Sequence, residues 1–553
     1  SSDRIALDIE THGPRKGDGL DPWRGDIRLL TLRREGGPVW MLDLMALGYD
    51  LGGLGHLLQE ATVIAHNARF DCLWLRVKCG LRLRRILCTL TAARLLAAGT
   101  KPGNNLDQCL QRYLGIAPGP DQSRSDWGAM FLTDDQLTYA ARDVAHLHDL
   151  AGVLEAEIGK ADLERVWALE SDLLPRVVEM EAAGIRVDAD KLRAIAAKAN
   201  ADATQASAAL REALGNPGLN PASTPQLLAA LQRAGLDLES TAEAALKEAD
   251  DGRLVPLVLA HREAIKRAQQ AESLLAHVQS DGRIHARFEP TGTATGRFSS
   301  KEPNLQNIGR GELREAFVPE PGHKFVVADY SQVELRAAAA IAGETKMIAA
   351  YRARQDLHKL TASTVLGADS ATISKEQRQT AKAISFGVLY GQHPPGLVRY
   401  AAASYGVHLE LEQAMEIRKA FFRTYGHLRQ WHGLSHQAAE KGVTEVRTRL
   451  GRRRLIPETA SDWERFTALV NTPVQGGCAD GMKRAIVLVA ERLPEESRIL
   501  STVHDELIVE APESQADAVR ELVTHTMREA MEALFPEVPI EVEAGTCNHW
   551  GEK

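Results

Sequence analysis

Residues 325–336 read Phe325-Val326-Val327-Ala328-Asp329-Tyr330-Ser331-Gln332-Val333-Glu334-Leu335-Arg336. The apolar run favours a buried β-strand that ends in a carboxylate, Asp329, and the stretch from Glu334 favours a helix. A second acidic pair, Asp505 and Glu506, lies inside another strand-like segment, residues 503–510. Two carboxylates about 4 Å apart repel by roughly 4 kcal/mol at an effective dielectric constant near 20, so a shared site requires a cation. We therefore predict that Asp329 and Asp505 share divalent metal ions.

The composition is that of a multidomain globular protein. The chain has 553 residues, of which 44% are hydrophobic and 25% charged, and its net charge is -8. An acidic chain binds nucleic acid only through local basic patches. The six cysteines show no CxxC spacing, which favours a reducing compartment and neither zinc nor a disulfide framework. No apolar run approaches the roughly 20 residues of a membrane span, and no signal peptide precedes the first strand.

The N-terminal part of the chain contains a second acidic set. Asp8 and Glu10 lie two apart in a predicted strand and so share a face, and residues 63–71 indicate a strand that runs into a loop carrying Asp71. Tyr139 and Asp143 lie four apart in a predicted helix. Any one of these acids alone is more commonly a cap or a surface charge. The ordered set, with Tyr139 to orient a water, suits a two-metal phosphodiester hydrolase.

One predicted helix carries a stripe of four side chains spaced four apart, which are Arg378, Lys382, Phe386 and Tyr390. Each step of four adds about 400° around a helix, so the stripe winds slowly. Cations at one end and aromatic rings at the other suit the phosphates and the nucleoside of a triphosphate. The alternative is an amphipathic helix that buries its aromatic residues.

Further polar and basic segments are candidates for contact with nucleic acid. Residues 156–280 show helical periodicity without a catalytic constellation, and we expect them to embrace duplex DNA. Arg297 lies in a Gly- and Thr-rich loop from which it can reach a phosphate or the minor groove. Asn471 and Gln475 are neutral donors for minor-groove acceptors. The dense arginine cluster at residues 447–454, with Arg452 and Arg453 at its centre, favours phosphate contact, against the alternative of solvated charge.

The N-terminal motifs resemble those of the DEDD-type 3'–5' exonucleases of the Tyr subclass. They are Asp8-Ile9-Glu10, His66-Asn67-Ala68-Arg69-Phe70-Asp71 and Tyr139-x-x-x-Asp143. The resemblance implies an RNase H-like α/β fold, with Asp8, Glu10, Asp71 and Asp143 as ligands of two metal ions. All four acids are present, so we expect an active domain.

The rest of the chain resembles the family A DNA polymerases of the bacterial DNA polymerase I type, without their 5' nuclease domain. Residues 329–336, 378–391 and 503–506 resemble motifs A, B and C of that family. The implied fold is multidomain α/β, an RNase H-like exonuclease domain followed by a right-hand polymerase domain. We expect the exonuclease at 1–155, the thumb at 156–280, the palm at 281–345 and 471–553, and the fingers at 346–470.

The resemblance also implies roles for individual residues. Asp329 and Asp505, with the Tyr330 carbonyl, would bind two catalytic metal ions. Arg378 and Lys382 would contact the triphosphate, and Phe386 would pack on the sugar. Glu334 and Tyr390 would exclude a ribose 2'-hydroxyl. The residues expected to contact primer–template are Arg297, Asn471, Gln475 and His504, and Glu506 would have a secondary role.

The expected activity is template-directed DNA synthesis from dNTPs with removal of mismatched, single-stranded 3' ends. Mg²⁺ is the expected ion, two at each site, with Mn²⁺ as a substitute. We expect a monomer that binds primer–template DNA and does not associate with membranes. The expected location is the cytoplasm of a bacterial or phage-infected cell, where accessory replication proteins could be partners. Replication and repair both stay open. One alternative is a single-subunit RNA polymerase relative, which the Glu334–Tyr390 pair opposes. The other is a DNA-binding scaffold with inactive sites, which the intact carboxylates oppose.

Two departures from the family pattern are visible. The segment after Ile308 is several residues short, and Thr467 stands where the family has an Arg. Both departures concern expected primer–template contacts and leave the metal-binding acids intact.

Overall fold

The computed structural model describes residues 3–100, 102–249, 251–367, 369 and 372–553. Within these ranges the chain forms fifteen β-strands and twenty-one α-helices, which confirms the predicted mixed α/β class. No helix in the described ranges has both the length and the apolar character needed to cross a membrane.

The N-terminal block is built around one mixed sheet with the strand order β3-β2-β1-β4-β5. Strand β2 runs antiparallel to both of its neighbours, β1 and β3, so β3, β4 and β5 all run parallel to β1. The strands are β1 Arg4–His12, β2 Asp26–Arg34, β3 Val39–Asp43, β4 Thr62–Ala65 and β5 Arg85–Cys88. The helices are α1 Gly52–Glu60, α2 Arg69–Cys79, α3 Thr89–Leu96, α4 Leu106–Leu114, α5 Asp134–Ala145 and α6 Leu147–Lys160.

Strand β1 is buried on both faces, and its alternation sets the direction of the acidic residues. Ile5 and Leu7 pack in one core with α1 and α2. Ala6 packs in another core with α5 and α6. Because side chains alternate along a strand, Asp8 and Glu10 point to the same side as Ala6, which is the side of α5. The predicted Asp8–Glu10 face is therefore directed at the helix that carries Asp143.

The predicted domain boundary at residue 155 falls inside helix α6, and helix α7 follows it. Helix α6 continues to Lys160, so that boundary cuts through a helix that packs on the N-terminal sheet. Helix α7, Glu164–Ala183, belongs to two cores at once. Leu174 and Val178 pack with the N-terminal sheet, whereas Leu173 and Val177 pack in the C-terminal core. This helix therefore joins the two blocks, and the subdomain boundaries stay predictions.

A helical arm follows α7. Its elements are β6 Ile185–Arg186, α8 Ala189–Ala213, α9 Thr224–Arg233, α10 Glu243–Glu248 and α11 Leu254–Ala276. Helices α8 and α11 lie along each other. The predicted cap of α8 is confirmed, because the backbone N–H of Lys191 donates to Asp188 Oδ1 at 2.9 Å. The far end of the arm has its own small core, formed by Leu210, Leu231 and Val255.

The C-terminal block is centred on the strand predicted from residues 325–329, which extends over His323–Tyr330 as β10. It is an inner strand of an antiparallel sheet with the order β13-β14-β10-β15. Phe325, Val326, Val327 and Ala328 are completely buried, since the sheet is covered on both faces. The other strands are β7 Arg283–Ile284, β8 Arg287–Glu289, β9 Ser299–Lys301, β11 Glu445–Arg447, β12 Arg453–Leu455, β13 Arg498–Val503, β14 Glu506–Pro512 and β15 Val542–Cys547.

Ten helices complete the described part of this block. They are α12 Val333–Ala342, α13 Thr345–Arg352, α14 Leu357–Leu366, α15 Lys375–Leu389, α16 Pro394–Tyr405, α17 Leu411–Thr424, α18 Gly426–Glu440, α19 Asp462–Asn471, α20 Gly477–Arg492 and α21 Ala516–Glu532. A π-helical turn, Thr472–Gly476, links α19 to α20.

The arginine cluster at residues 447–454 has a different role from the one predicted. Arg452 is only 2% exposed, and it pairs with Asp480 at 2.7 Å and with Glu170 of α7 at 2.5 Å. The predicted phosphate contact of Arg452 is wrong, because its guanidinium compensates two buried carboxylates. Arg453 is also mostly buried and donates to the Leu96 carbonyl at 2.9 Å, at the end of α3. The cluster thus joins the C-terminal block to the N-terminal one.

Glu170 is the centre of the most deeply buried part of this junction. It also accepts a hydrogen bond from the ammonium group of Lys483, whose pKa burial lowers to about 8. Two cations therefore depend on one fully buried carboxylate.

We expect Glu170→Ala to lower the free energy of unfolding by about 3 to 5 kcal/mol, because it leaves Arg452 and Lys483 buried with too little negative charge. Urea unfolding at neutral pH measures the change. Glu164→Ala, at an exposed position of the same helix, is the matched control. A loss from Glu170→Ala no larger than that of the control would contradict the proposed role.

Candidate active sites

The first site lies where β10 ends. Asp329 is at the end of the strand, and the backbone N–H of Tyr330 donates to the Asp505 carbonyl at 3.2 Å. Asp505 occupies the tight turn between β13 and β14, in which His504 has a positive φ of 57°. A strand end and a hairpin turn thus place the two predicted metal ligands side by side.

Acidic residues form a row across this end of the sheet. Asp329 is opposite Glu506 on β14 and opposite Glu543 on β15. Burial and the nearby Asp329 raise the pKa of Asp505 to about 7. Burial also raises the pKa of Asp329, with a contribution from Glu506, although Lys553 opposes it. The Asp329 Oδ1 atom is buried and has no hydrogen-bond partner among the described residues. Crowded carboxylates with an unpartnered oxygen fit a cation.

A cavity of about 410 Å³ opens onto these acids. Its lining contains nearly all of the residues predicted for metal and triphosphate binding, which are Asp329, Tyr330, Glu334, Arg378, Lys382, Phe386 and Asp505. His358 and Glu543 line the same cavity, but no motif in the sequence indicated them. The structure therefore brings together residues from three distant segments around one nucleotide-sized space.

Helix α15 presents three members of its predicted stripe to this cavity, namely Arg378, Lys382 and Phe386. Ser374 and Gln377 form a reciprocal capping box at its first turn. Arg378 pairs with Asp356 at 2.7 Å, and the Lys382 ammonium lies 5.9 Å from the Tyr405 ring. Phe386 is half-buried further along the helix. The amphipathic alternative does not account for cations and an aromatic ring on one cavity wall.

Glu334 is held in place from two sides. Its carboxylate accepts hydrogen bonds from the Tyr390 hydroxyl and from the Arg297 guanidinium. The Glu334 side chain is only 14% exposed, and it lines the cavity beside Asp505. The predicted pair of Glu334 and Tyr390 is thus in contact, at the wall of the nucleotide-sized cavity.

Two of the residues predicted to contact primer–template, Arg297 and His504, lie next to Asp505. Arg297 and His504 line a smaller cavity of about 70 Å³, which shares Glu334 and Asp505 with the first one. Gln475 accepts a hydrogen bond from Thr295 at 2.8 Å. Asn471 Oδ1 is buried without a partner among the described residues.

The Glu506 side chain is buried and hydrogen-bonded, so it is not a free acid. It accepts hydrogen bonds from Trp550 Nε1 at 2.8 Å and from Arg314 at 3.3 Å. The Arg314 guanidinium lies 4.0 Å from the centre of the Trp550 ring. Sequence reasoning missed Arg314 and Trp550, because neither belongs to a recognisable motif.

The second site lies in the N-terminal block. Carboxylate oxygens of Asp8, Glu10 and Asp143 all lie within 4.8 Å of one another. Asp71 is 3% exposed and accepts a hydrogen bond from the Ile9 backbone N–H at 3.2 Å. Asp71 is in the first turn of α2, where the sequence predicted a loop.

Burial is the largest influence on the pKa values of this second group of acids. It raises the pKa of Glu10 to about 9, that of Asp71 to about 8 and that of Asp143 to about 7. The charge of Asp143 adds to the effect at Glu10, whereas a hydrogen bond from Tyr139 opposes it at Asp143. Such a group of buried carboxylates fits divalent cations.

Two neighbours of this site were not among the predicted site residues. Trp127 packs on Tyr139, with the ring centres 6.3 Å apart. Arg69, two residues before Asp71, forms buried ion pairs with Glu181 at 2.9 Å and with Glu289 at 3.1 Å. Because Glu181 is in α7 and Glu289 is in β8, Arg69 ties the second site to the C-terminal block.

Two family models match the chain. The model of DNA polymerase family A matches residues 189–552, and that of the 3'-5' exonuclease matches residues 1–159.

Several curated proteins are similar to this chain. DNA polymerase I of Aquifex aeolicus is 32% identical over 580 residues, covering 100% of this chain and 96% of the relative. The thermostable DNA polymerase I of Thermus aquaticus is 33% identical, covering 93% and 62%, respectively. DNA polymerase I of Rhizobium leguminosarum is 31% identical, covering 90% and 52%. The chain therefore spans between half and two thirds of the length of the latter two relatives.

A solved structure agrees with these matches. It is the POL domain of Pol1 from M. smegmatis in complex with DNA primer-template and dNTP. The TM-score is 0.85 at 28% identity, and the alignment covers 100% of this chain and 96% of that one. The predicted family is confirmed: the chain belongs to DNA polymerase family A and is a DNA polymerase that carries a 3'–5' exonuclease domain.

Proposed function

We propose that the cavity at the end of β10 is the site of nucleotide addition, with Asp329 and Asp505 as metal ligands. The observation that carries this proposal is the convergence of Asp329, Asp505 and the α15 stripe on one cavity of about 410 Å³. Divalent cations bound to these carboxylates would activate the primer 3'-hydroxyl and neutralise charge on the phosphates. The Tyr330 carbonyl is a proposed further ligand.

The side chains of α15 would hold the incoming nucleotide. Arg378 and Lys382 offer charge-assisted hydrogen bonds to the phosphates and favour departure of pyrophosphate. Arg378 is already oriented by Asp356, which reduces the entropy lost on binding. Phe386 would pack against the sugar. The dNTP in the M. smegmatis complex supports a nucleotide as the occupant of this space.

Glu334 would select the sugar. Two donors hold its carboxylate at the cavity wall, so it cannot move aside without losing both hydrogen bonds. A 2'-hydroxyl on the incoming nucleotide would meet this fixed group. The arrangement favours dNTPs and opposes the alternative of an RNA polymerase relative.

We propose that the N-terminal acids form a separate site that removes mismatched 3' nucleotides. Asp8, Glu10, Asp71 and Asp143 would hold its metal ions, and Tyr139, bonded to Asp143, would orient the attacking water. Single-stranded 3' ends would reach this site from the first one.

Finer features of the working enzyme belong to the same proposal. Mg²⁺ is the proposed ion at both sites, with Mn²⁺ as a substitute. Primer–template DNA would contact Arg297, Asn471, Gln475 and His504. A monomer acting in the cytoplasm, with accessory replication proteins as optional partners, is the proposed working unit; all six cysteines are free, as in a reducing compartment.

Substitutions in the two sites should separate the two activities. We expect Asp505→Ala to abolish primer extension and leave 3' digestion intact, and Asp8→Ala with Glu10→Ala to have the opposite effect, because each change removes metal ligands from one site only. Primer extension and degradation with Mg²⁺ on matched and mismatched 3' ends measure both activities.

Asp517→Ala, at a side chain that is 80% exposed, is the control for the separation experiment and should change neither activity. Loss of both activities from either active-site variant in a folded protein would contradict the two-site proposal. Absence of both activities from the unsubstituted chain would favour the inactive scaffold.

Removal of the Glu334 carboxylate should weaken the choice between sugars. We expect Glu334→Ala to raise incorporation of ribonucleotides relative to deoxyribonucleotides by about tenfold or more, because one fixed group then no longer rejects the 2'-hydroxyl. Single-nucleotide incorporation with matched dNTP and rNTP measures the ratio. An unchanged ratio, with Glu440→Ala as an exposed control, would refute the selection role.

A further inference from the structure

A separate cavity lies where the end of α13, helix α21 and the segment before β15 meet. Its volume is about 570 Å³, which is within the range of small-molecule sites. Three arginines line it, Arg352 and Arg354 from the end of α13 and Arg528 from α21. This arginine cavity therefore combines the size of a ligand site with a concentration of positive charge.

The three arginines have no carboxylate partner among the residues that the structure describes. All three are exposed, and within the described ranges the side chains of Arg354 and Arg528 form no hydrogen bond or ion pair. Arg352 donates a hydrogen bond to the Glu537 carbonyl at 2.9 Å. The charge of all three guanidinium groups is therefore open to an anion from outside.

The acids of the cavity leave a surplus of positive charge. Glu541 Oε2 is paired with Arg336 at 2.6 Å, and Glu532 accepts a hydrogen bond from the Ile540 backbone N–H at 3.3 Å. Arg336 is buried, and its guanidinium lies 4.1 Å from the centre of the Tyr351 ring, which is part of the cavity wall. With Arg336 included, four cations stand against two carboxylates around this space. Such a surplus favours a negatively charged ligand.

Arg354 occupies a backbone position that suits glycine. Its φ is +55°, and it follows the C-cap residue of α13, Ala353. The Gln355 backbone N–H donates to the Ala350 carbonyl at 2.9 Å and closes the turn. In this left-handed turn, which ends many helices, any side chain costs stability relative to glycine. The arginine side chain brings no hydrogen bond or ion pair in return within the described chain, so the position points to a ligand.

A single wall separates the arginine cavity from the nucleotide-sized cavity. The Tyr351 hydroxyl donates to Gln332 Oε1 at 3.2 Å, and the Ser331 backbone N–H donates to the Glu541 carbonyl at 3.0 Å. Tyr351 and Glu541 line the arginine cavity, whereas Ser331 and Gln332 line the other one. An anion that enters or leaves the nucleotide-sized cavity therefore passes close to the arginines.

We propose that the arginine cavity binds an oligophosphate anion, at a site separate from the one that adds nucleotides. Guanidinium groups bind phosphate oxygens through pairs of charge-assisted hydrogen bonds. A DNA polymerase meets such a phosphate chain in two forms, the triphosphate of a dNTP and the pyrophosphate that each addition releases. A DNA backbone is a poorer fit, because the arginines line a concave space and do not form a row along the surface.

The test measures binding of inorganic pyrophosphate to the full chain by isothermal titration calorimetry. Lys382→Ala weakens the proposed nucleotide site, and EDTA removes divalent cations, so that binding in this background reports the arginine cavity. We expect Arg354→Gly and Arg528→Gln each to weaken it by about tenfold, since each removes charge-assisted hydrogen bonds. Arg165→Gln, at an exposed arginine of α7, is the matched control and should leave the affinity unchanged.

Arg354→Gly also separates loss of binding from loss of folding. Because glycine suits a φ of +55°, the Tm without ligand should stay the same or rise. Pyrophosphate should raise the Tm of the Lys382→Ala chain, and it should raise that of the added Arg354→Gly variant much less. Arg528→Lys keeps a positive charge and should retain part of the binding.

A second probe distinguishes the two sources of the phosphate chain. The probe is dTTP without primer–template, titrated into the same variants. Binding as tight as that of pyrophosphate, with the same dependence on Arg354 and Arg528, would identify the occupant as the triphosphate of a waiting nucleotide. Far weaker binding of dTTP would identify it as released pyrophosphate. Either result supports an oligophosphate site.

Three results would overturn the inference. One is an unchanged affinity for pyrophosphate in Arg354→Gly and in Arg528→Gln. Another is equal affinity for sulfate with the same dependence on the arginines, which would indicate nonspecific attraction of anions. The third is tighter binding of duplex DNA through these arginines, which would assign the surface to nucleic acid. Failure of the proposed function looks different, because Lys382→Ala would then leave primer extension unchanged.

Discussion

Repulsion between buried carboxylates is the constraint on which this molecule depends. Asp329 ends a completely buried strand, and the register of the sheet places Glu506 and Glu543 on either side of it and Asp505 in the adjoining turn. The chain neutralises only part of this charge, through Arg314 and Lys553. The raised pKa of Asp505 reflects its burial and the negative charge that is not neutralised. The fold thus leaves a requirement for cations at the site proposed for nucleotide addition.

Buried carboxylates also lie between the two blocks, but there each one has a cationic partner. Glu170 is paired with Arg452 and Lys483, and Glu181 is paired with Arg69, all inside the protein. Removing one partner from such a pair costs far more than the pair contributes, so these contacts fix the arrangement of the blocks. Helix α7 carries both glutamates and packs in both cores. Compensated charge therefore holds the two active sites in a fixed relation, and uncompensated charge marks the sites themselves.

The sequence by itself determined the strands, helices and motifs with strong local periodicity. The β10 strand, the α15 stripe, the α5 pair of Tyr139 and Asp143, and the Asp188 cap are all local patterns, and the structure contains each of them. Only the tertiary structure decided which charges are neutralised. Arg452 looked like a phosphate ligand in a run of arginines, because its carboxylate partners, Glu170 and Asp480, are distant in the chain. The stacking of His436 on Phe466 was invisible for the same reason: the two rings belong to separate helices, α18 and α19, and contact at such separation is set by packing, which no local pattern encodes.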